Sequence, residues 1–145
     1  VNTLRDVSFD QLAGLKDLPL VHQRAIHVVS ENERVRDAVA AIEQRQWDRM
    51  GALMTRSHES LRNDYEVSCQ ELDLLVALAM SERGVYGARM TGGGFGGCVI
   101  VLVETDQIEA VADSISGQYG DRIGWAPECY RVQAGAGARE ICTAL

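Results

Sequence analysis

A run of glycines between two apolar segments constrains the fold of this chain more than any other feature. Five of the six residues from 92 to 97 are glycine, and Phe95 is the sixth. Residues 85–91 precede the run, and the β-branched segment 98–103 follows it. Glycine is unfavourable inside helices and strands. The run therefore predicts a loop between two strands, and the continuous apolar sequence of the second strand predicts that it is buried.

The glycines suit a close approach of the backbone to another group. Glycine tolerates positive φ and has no Cβ, so successive N–H groups can point into one concavity and meet an anion or another loop. A long flexible hairpin tip is the alternative, although an embedded Phe95 is unusual there. Gly92, Gly94 and Gly97 fit the dinucleotide-binding pattern G-x-G-x-x-G, but a strand follows them where that pattern needs a helix. The glycine spacing of the P-loop also fits, but its Lys and Ser or Thr are absent after Gly97.

Helical signals lie on both sides of this hairpin. Three helices are predicted before residue 63: a short one over about 8–16 opened by a Ser8–Gln11 capping box, a long amphipathic one over 20–46, and one from 47 toward 62. Two more follow. One runs from a Ser68–Glu71 capping box to Gly84, and the other runs from an Asp106–Glu109 cap through Ile115. Val35 and Val39 belong to the apolar stripe of the long helix. A returning strand is predicted over 128–133. The pattern indicates one α+β domain in which helices cover one face of a mainly antiparallel sheet.

Length and composition are typical of one soluble domain. The chain has 145 residues, of which 46% are hydrophobic and 24% charged, with two prolines. Its formal net charge of -7 disfavours nucleic acid as a partner, and no apolar run approaches the roughly 20 residues that cross a bilayer. Four cysteines without a Cys-x-x-Cys pair and three histidines without a His-x-x-x-His pair predict free thiols, a cytoplasmic location and no metal site.

One face of the long predicted helix carries a row of polar side chains. Arg24, His27, Glu31 and Arg34 recur there at steps of three and four. Such a row is typical of salt bridges along a solvated helix face. Contact with another part of a larger protein is the alternative.

Three stretches together resemble a known family. They are 24–35 (Arg-Ala-Ile-His-Val-Val-Ser-Glu-Asn-Glu-Arg-Val), 57–73 (Ser-His-Glu-Ser-Leu-Arg-Asn-Asp-Tyr-Glu-Val-Ser-Cys-Gln-Glu-Leu-Asp) and 89–98 (Arg-Met-Thr-Gly-Gly-Gly-Phe-Gly-Gly-Cys). The last stretch resembles the third motif of the GHMP superfamily of small-molecule kinases, which includes galactokinase, homoserine kinase, mevalonate kinase and phosphomevalonate kinase. All three stretches in this order resemble the galactokinases, and the resemblance extends from about Leu4 to the C-terminus.

The resemblance implies the C-terminal lobe of a two-lobed enzyme that transfers the γ-phosphoryl group of MgATP to the C1 hydroxyl of galactose. In that family the catalytic Asp, its partner Arg, the magnesium ligands, the ATP-holding loop and the sugar-binding residues lie upstream, and none has a matching position here. The chain also opens at Val1 without an initiator Met. We therefore expect 1–145 to be a single domain whose partner is its own N-terminal lobe. It is expected to have no catalytic residue, no MgATP site and no activity of its own.

The same resemblance implies a role for the glycine loop. In the family, the third motif lies between the lobes and supports the phosphate-binding loop of the N-terminal lobe. The matching residues here are Thr91, Gly92, Gly93, Gly94, Phe95, Gly96 and Gly97. Gly93 and Gly94 are expected to serve close packing or positive φ. Arg89 is the cation beside the loop and a candidate phosphate contact; a strand residue paired with a carboxylate is the alternative for it.

Two other functions stay open on the sequence. A kinase-like protein that has lost its catalytic residues and acts as a sugar-dependent regulator would have the same C-terminal lobe. A related kinase acting on N-acetylgalactosamine or arabinose is the second alternative, because the specificity residues lie in the N-terminal lobe. The residues of that lobe distinguish both from a galactokinase.

Overall fold

Helices predominate in the structure, a computed structural model that describes residues 3–137. In chain order the elements are two 3-10 helices (Leu4–Asp6 and Phe9–Leu15), α1 (Pro19–Glu43), α2 (Trp47–Asn63), α3 (Gln70–Ser81), β1 (Val85–Thr91), β2 (Cys98–Val103) and α4 (Ile108–Ile123). The α+β class, the hairpin and the long helices are confirmed. None of the helices described over 3–137 is long and apolar enough to cross a membrane.

Capping signals located one helix start correctly and two incorrectly. The Ser8 backbone N–H donates to the Gln11 side chain at 2.9 Å, so the first capping box is present and opens a 3-10 helix. The predicted box at Ser68 is absent, because the Ser68 hydroxyl donates to the Asp73 carboxylate at 2.6 Å and α3 begins later in the chain. The start of α4 also has no side-chain cap, contrary to the expectation for Asp106.

The two strands pair antiparallel and place the glycine run at one end of the sheet. Ala88 lies opposite Val101, and Thr91 lies opposite Cys98. The 92–97 loop connects these last two residues. Its position follows from the register of the hairpin, because both strands end where the glycines begin.

α3 and α4 cover one face of this sheet. The core between them contains Ala79, Ala88 and Tyr119, each at most 1% exposed. Alternate residues of β2, including Val99 and Val101, pack against the same cluster. Removal of this apolar surface from water, at about 25 cal/mol per Å², is the main contribution that holds the hairpin to the helices.

β2 is less buried than its continuous apolar sequence predicts. None of its residues is fully buried, and Ile100 is 45% exposed. The predicted returning strand over 128–133 is wrong: no strand forms in that part of the described chain, where Tyr130 and Val132 are 75% and 72% exposed. One edge of β2 is therefore unpaired within residues 3–137, and its covered face is the one toward α3 and α4.

α1 extends beyond the two 3-10 helices that cover its first half. Ala25 and Val29 are buried against Leu12 of the second 3-10 helix. The predicted apolar stripe is wrong for Val35 and Val39, which are 61% and 52% exposed. Those two residues lie past the stretch of α1 on which the N-terminal segment packs, so helical period alone did not identify the buried face.

α2 lies directly on β1 because both elements carry glycine where they meet. A Cβ on Gly51 would lie 1.9 Å from the carbonyl oxygen of Tyr86, and a Cβ on Gly87 would lie 2.1 Å from the carbonyl oxygen of Gly51. Protein interiors have no room for such overlaps, so a side chain at either position would separate helix and strand. The close approach also brings His58 of α2 beside the end of β1.

Candidate functional site

The glycine loop, residues 92–97, adopts left-handed backbone at most of its positions. The φ values are +86° at Gly92, +84° at Gly94, +60° at Phe95, +123° at Gly96 and +111° at Gly97. Gly93 does not share this conformation, and a Cβ there would meet nothing within 4 Å. Positive φ, one of the two roles expected of these glycines, is thus present at Gly94 and absent at Gly93, which has no close neighbour in the described chain.

The loop rests on the segment that joins α2 to α3. The Phe95 backbone N–H donates to the carbonyl oxygen of Val67 at 2.7 Å. A Cβ on Gly94 would lie 2.1 Å from that same oxygen, so only glycine permits the contact. At this point the loop is a packed structure, which argues against a free hairpin tip.

The α2–α3 connection, residues 64–69, is held in turn by α1. The Arg24 guanidinium donates to the backbone carbonyl of Asp64 and to the carboxylate of Glu66. Glu66 has a left-handed backbone with φ +55°, a conformation that is unfavourable for a residue with a side chain. Arg24 therefore binds the connection at the point where its backbone is strained.

A chain of hydrogen bonds links His27 to the same connection. The Ser60 hydroxyl donates its one proton to the Asp64 carboxylate at 2.7 Å. His27 Nδ1 lies 3.0 Å from that hydroxyl and is therefore the donor to it. The His27 ring also stacks on Tyr65, with 4.6 Å between the ring centroids. Burial lowers the pKa of His27, and this effect outweighs the negative charge of Glu31, which raises the pKa. The neutral ring therefore predominates at pH 7.

Glu31 is a partly buried carboxylate shared by three side chains. It accepts hydrogen bonds from the Ser57 hydroxyl at 2.6 Å and from Arg34, and the Arg89 guanidinium lies 3.7 Å away. Burial raises the pKa of Glu31, but the Ser57 hydrogen bond and the two guanidinium groups outweigh that effect and hold the pKa below its usual value. The carboxylate pairing named as the alternative for Arg89 is therefore present, with 34% of the Arg89 side chain exposed.

His58 connects the end of β1 to α3 from beneath the loop. The Met90 backbone N–H donates to His58 Nδ1 at 3.4 Å, so this nitrogen carries no proton and the ring is the neutral Nε2–H tautomer. His58 Nε2 lies 3.2 Å from the Asp73 carboxylate without the alignment of a hydrogen bond, while the Ser68 hydroxyl donates to the same oxygen. Burial is the main cause that lowers the pKa of His58.

The hairpin, its glycine loop and the surrounding helices match a known protein family. The family described as GHMP kinases C terminal matches residues 38–121, more than half of the chain. The chain belongs to this family. The matched part includes α2, α3, both strands and the glycine loop.

The GHMP kinase domain is similar to galactokinases in particular. The galactokinase of Clostridium acetobutylicum is 41% identical over 144 residues, and that of Homo sapiens is 43% identical over 142 residues. Both alignments cover 97% of this chain but 37% and 35% of the relatives, so the chain spans about a third of their length. The crystal structure of Lactococcus lactis galactokinase complexed with galactose superposes with a TM-score of 0.80 at 37% identity, over 87% of this chain and 33% of that one. A crystal structure of L. major mevalonate kinase in complex with R-mevalonate has a TM-score of 0.59 at 22% identity and shares the fold.

The polar row on α1 of this GHMP kinase domain lies on one face and forms salt bridges, but only the Glu31–Arg34 pair runs along the helix, while the others reach Glu66 and Arg89. Glu31 and Arg34 pair within it, whereas Arg24 and His27 reach across to α2 and the 64–69 connection. Sequence reasoning missed the polar partners of this network, which are the buried Ser57, His58 and Ser60 of α2 and the partly exposed Asp73 of α3. The signal for the three α2 residues was the recurrence of small polar residues and a histidine at helical spacing within 57–64.

Acidification is expected to destabilise the GHMP kinase domain through His27 and His58. The pKa of each buried ring lies below its ordinary value of 6.5. As the pH falls through 6.5, the unfolded chain takes up protons that the folded chain does not bind. The free energy of unfolding therefore falls as the pH is lowered, by at most about 1.4 kcal/mol per pH unit for each histidine.

Urea unfolding between about pH 7.5 and about pH 5 measures this dependence. His58→Gln keeps an acceptor for Met90 but removes one titrating ring, so the dependence on pH should become weaker. His22→Gln is the control, because His22 lies partly exposed on α1 outside the network. If the free energy of unfolding falls as steeply with pH in His58→Gln as in the wild type, His58 is not a source of the pH dependence.

Proposed function

We propose that this chain is the C-terminal lobe of a galactokinase, which transfers the γ-phosphoryl group of MgATP to the C1 hydroxyl of galactose. The likeness to galactokinases along 97% of the chain carries the proposal. In it, residues 1–145 form one lobe whose partner is the N-terminal lobe of the same polypeptide. Galactose and ATP are the substrates, and nucleic acid and membranes are not partners.

The glycine loop supports the phosphate-binding loop of the N-terminal lobe in this proposal. Gly94 is already in contact with Val67, but a Cβ on the other loop glycines would meet nothing within 4 Å. Their open side leaves room for the backbone of another segment. Phe95 is 77% exposed beside them, and an apolar side chain of that size suits a contact with a second lobe. The supporting residues are Thr91, Gly92, Gly93, Gly94, Phe95, Gly96 and Gly97.

Arg89 is the candidate phosphate contact of this lobe. Its Nε donates to the Met90 carbonyl at 3.0 Å, and one terminal nitrogen lies 3.7 Å from Glu31. The remaining N–H groups of the guanidinium are available to a phosphate oxygen. In the absence of ATP, the Glu31 carboxylate holds the Arg89 guanidinium beside the loop. When ATP is bound, the guanidinium would contact both Glu31 and a phosphate oxygen.

MgATP is bound by the N-terminal lobe in this proposal. Among residues 3–137, no three His, Cys, Asp or Glu side chains are grouped to hold a metal ion. Phosphoryl transfer is catalysed mainly by positioning and charge stabilisation, and this lobe contributes positioning without a catalytic residue. We also propose a cytoplasmic location, which the unpaired thiols of Cys69, Cys98 and Cys129 favour.

Kinase assays on the complete polypeptide that contains this chain test the proposal. With MgATP and galactose we expect ADP release and galactose 1-phosphate in equal amounts. The 145-residue chain alone should show neither turnover nor saturable heat when titrated with MgATP or with galactose. Saturable binding of either ligand by the chain alone would contradict the proposal that the N-terminal lobe holds both ligand sites.

The same assay distinguishes the two alternatives. Faster phosphorylation of N-acetylgalactosamine or arabinose than of galactose would show a related sugar kinase. Binding of galactose and ATP by the complete polypeptide without product would show a sugar-dependent regulator. The 41–43% identity to galactokinases favours galactose as the substrate.

A further inference from the structure

Two residues with side chains hold left-handed backbone on either side of one contact. Glu66 has φ +55° and Phe95 has φ +60°. Between them the Phe95 N–H donates to the Val67 carbonyl at 2.7 Å. Such conformations persist in residues other than glycine only where their surroundings hold them. Something outside the loop must therefore fix the 64–69 connection before the loop can pack on it.

The backbone N–H groups of Tyr65 and Val67 donate to carbonyls of α2, and α1 adds a second restraint from two adjacent residues. The Arg24 guanidinium donates to the Asp64 carbonyl and to the Glu66 carboxylate, and the Gln23 amide donates to the Asn63 carbonyl at 2.6 Å. These carbonyls belong to the last residue of α2 and to the residue after it, where the helix offers them no partner. The planar guanidinium can bind a carbonyl and a carboxylate at once, which fixes their relative orientation.

We propose that Arg24 is a positioning residue for the glycine loop. It fixes the backbone of the 64–69 connection at Glu66, so that the next residue, Val67, presents its carbonyl to Phe95. The Arg24 side chain is 28% exposed and does not belong to the hydrophobic core. Its effect is therefore expected to be local to the loop, whereas a residue with a merely structural role would change the stability of the whole domain.

Hydrogen exchange of individual backbone amides in the 145-residue chain tests the proposal without relying on the proposed function. In Arg24→Gln we expect exchange of the Phe95 amide to accelerate at least about tenfold, while the hydrogen-bonded amides of β1 and β2 change less than about twofold. Arg24→Lys keeps the charge but not the paired N–H donors, so its effect should be intermediate. Arg36→Gln, at an exposed position of the same helix, is the matched control and should change neither. Unchanged exchange at Phe95, or an equal acceleration in both strands, would overturn the proposal.

The partner of Arg24 gives a second test. Glu66→Gln removes the ion pair but keeps the contact of Arg24 with the Asp64 carbonyl, so a smaller acceleration at Phe95 is expected. The double variant Arg24→Gln/Glu66→Gln should add little to Arg24→Gln, because the two side chains act through one contact. Fully additive effects of the two substitutions would overturn the shared role.

The kinetic consequence rests on the proposed function. In the complete polypeptide, Arg24→Gln should lower kcat about tenfold and leave the galactose KM within about twofold, because the support beneath the phosphates moves while the sugar site does not. A normal kcat with an altered Phe95 amide would overturn this consequence. An inactive wild-type polypeptide would contradict the proposed function and leave the exchange result to stand by itself.

Discussion

Gly51→Ala is expected to lower the free energy of unfolding by about 3 kcal/mol, the upper end of the usual cost of overpacking. The added methyl group would lie 1.9 Å from the Tyr86 carbonyl oxygen and 2.8 Å from the Gly87 nitrogen. These are backbone atoms of a strand in the core, and they cannot rotate away as a flexible side chain can. The helix must shift, and the core between α2 and β1 opens with it.

Gly117→Ala is the matched control, since it makes the same substitution inside another helix. Gly117 is exposed on α4, and a Cβ there would meet nothing within 4 Å. Alanine is preferred to glycine in helices, so this variant should be more stable by about 0.5–1 kcal/mol. Thermal and urea unfolding measure both variants. If Gly51→Ala is as stable as the wild type, the described contact between α2 and β1 is wrong.

Elements with strong local signals could be predicted from the sequence. β1 and β2 have the predicted bounds because a run of consecutive glycines, which is unfavourable inside a strand, separates them and a β-branched run follows it. α2 follows its apolar period closely, from Trp47 to Asn63. In these segments the neighbouring residues in the sequence decide the backbone conformation, so the sequence pattern is enough to predict the secondary structure.

Features that depend on distant partners could not be predicted in this way. Ser68 has the spacing of a helix cap, yet its hydroxyl donates to Asp73, which also faces His58. Val35 has the period of a buried residue, yet its side chain is 61% exposed among the described residues. Both outcomes are decided by which elements meet in three dimensions, and a local pattern does not contain that information.

The candidate site shows the same division. The glycine run marked the loop as a place of close backbone approach, and Val67 is the neighbour that requires it at Gly94. Sequence alone could not distinguish Gly94 from Gly93, because both are glycines in one run. It also gave no sign that Arg24, about 70 residues earlier in the chain, contacts the segment beneath the loop.

Gly94→Ala in the complete polypeptide is expected to lower kcat about 100-fold, the loss that follows when catalytic parts move by about 1 Å. Gly94 has φ +84°, and its Cβ would lie 2.1 Å from the Val67 carbonyl oxygen. The strain of a side chain in this conformation, roughly 1–3 kcal/mol, adds to that overlap and lifts the loop off the connection. The hairpin strands should keep their pairing, since the substitution lies outside both.

Gly117→Ala is the control for this loss, because the same methyl group there enters open space on α4, outside the loop. We expect its kcat to stay within about threefold of the wild type, because alanine is well tolerated inside a helix. Steady-state kinetics with MgATP and galactose, together with the melting temperature of each variant, separate a local effect at the loop from a general loss of stability. A Gly94→Ala enzyme with wild-type kcat and wild-type KM for MgATP would show that the loop only closes a hairpin, and the role in supporting the phosphates would be wrong.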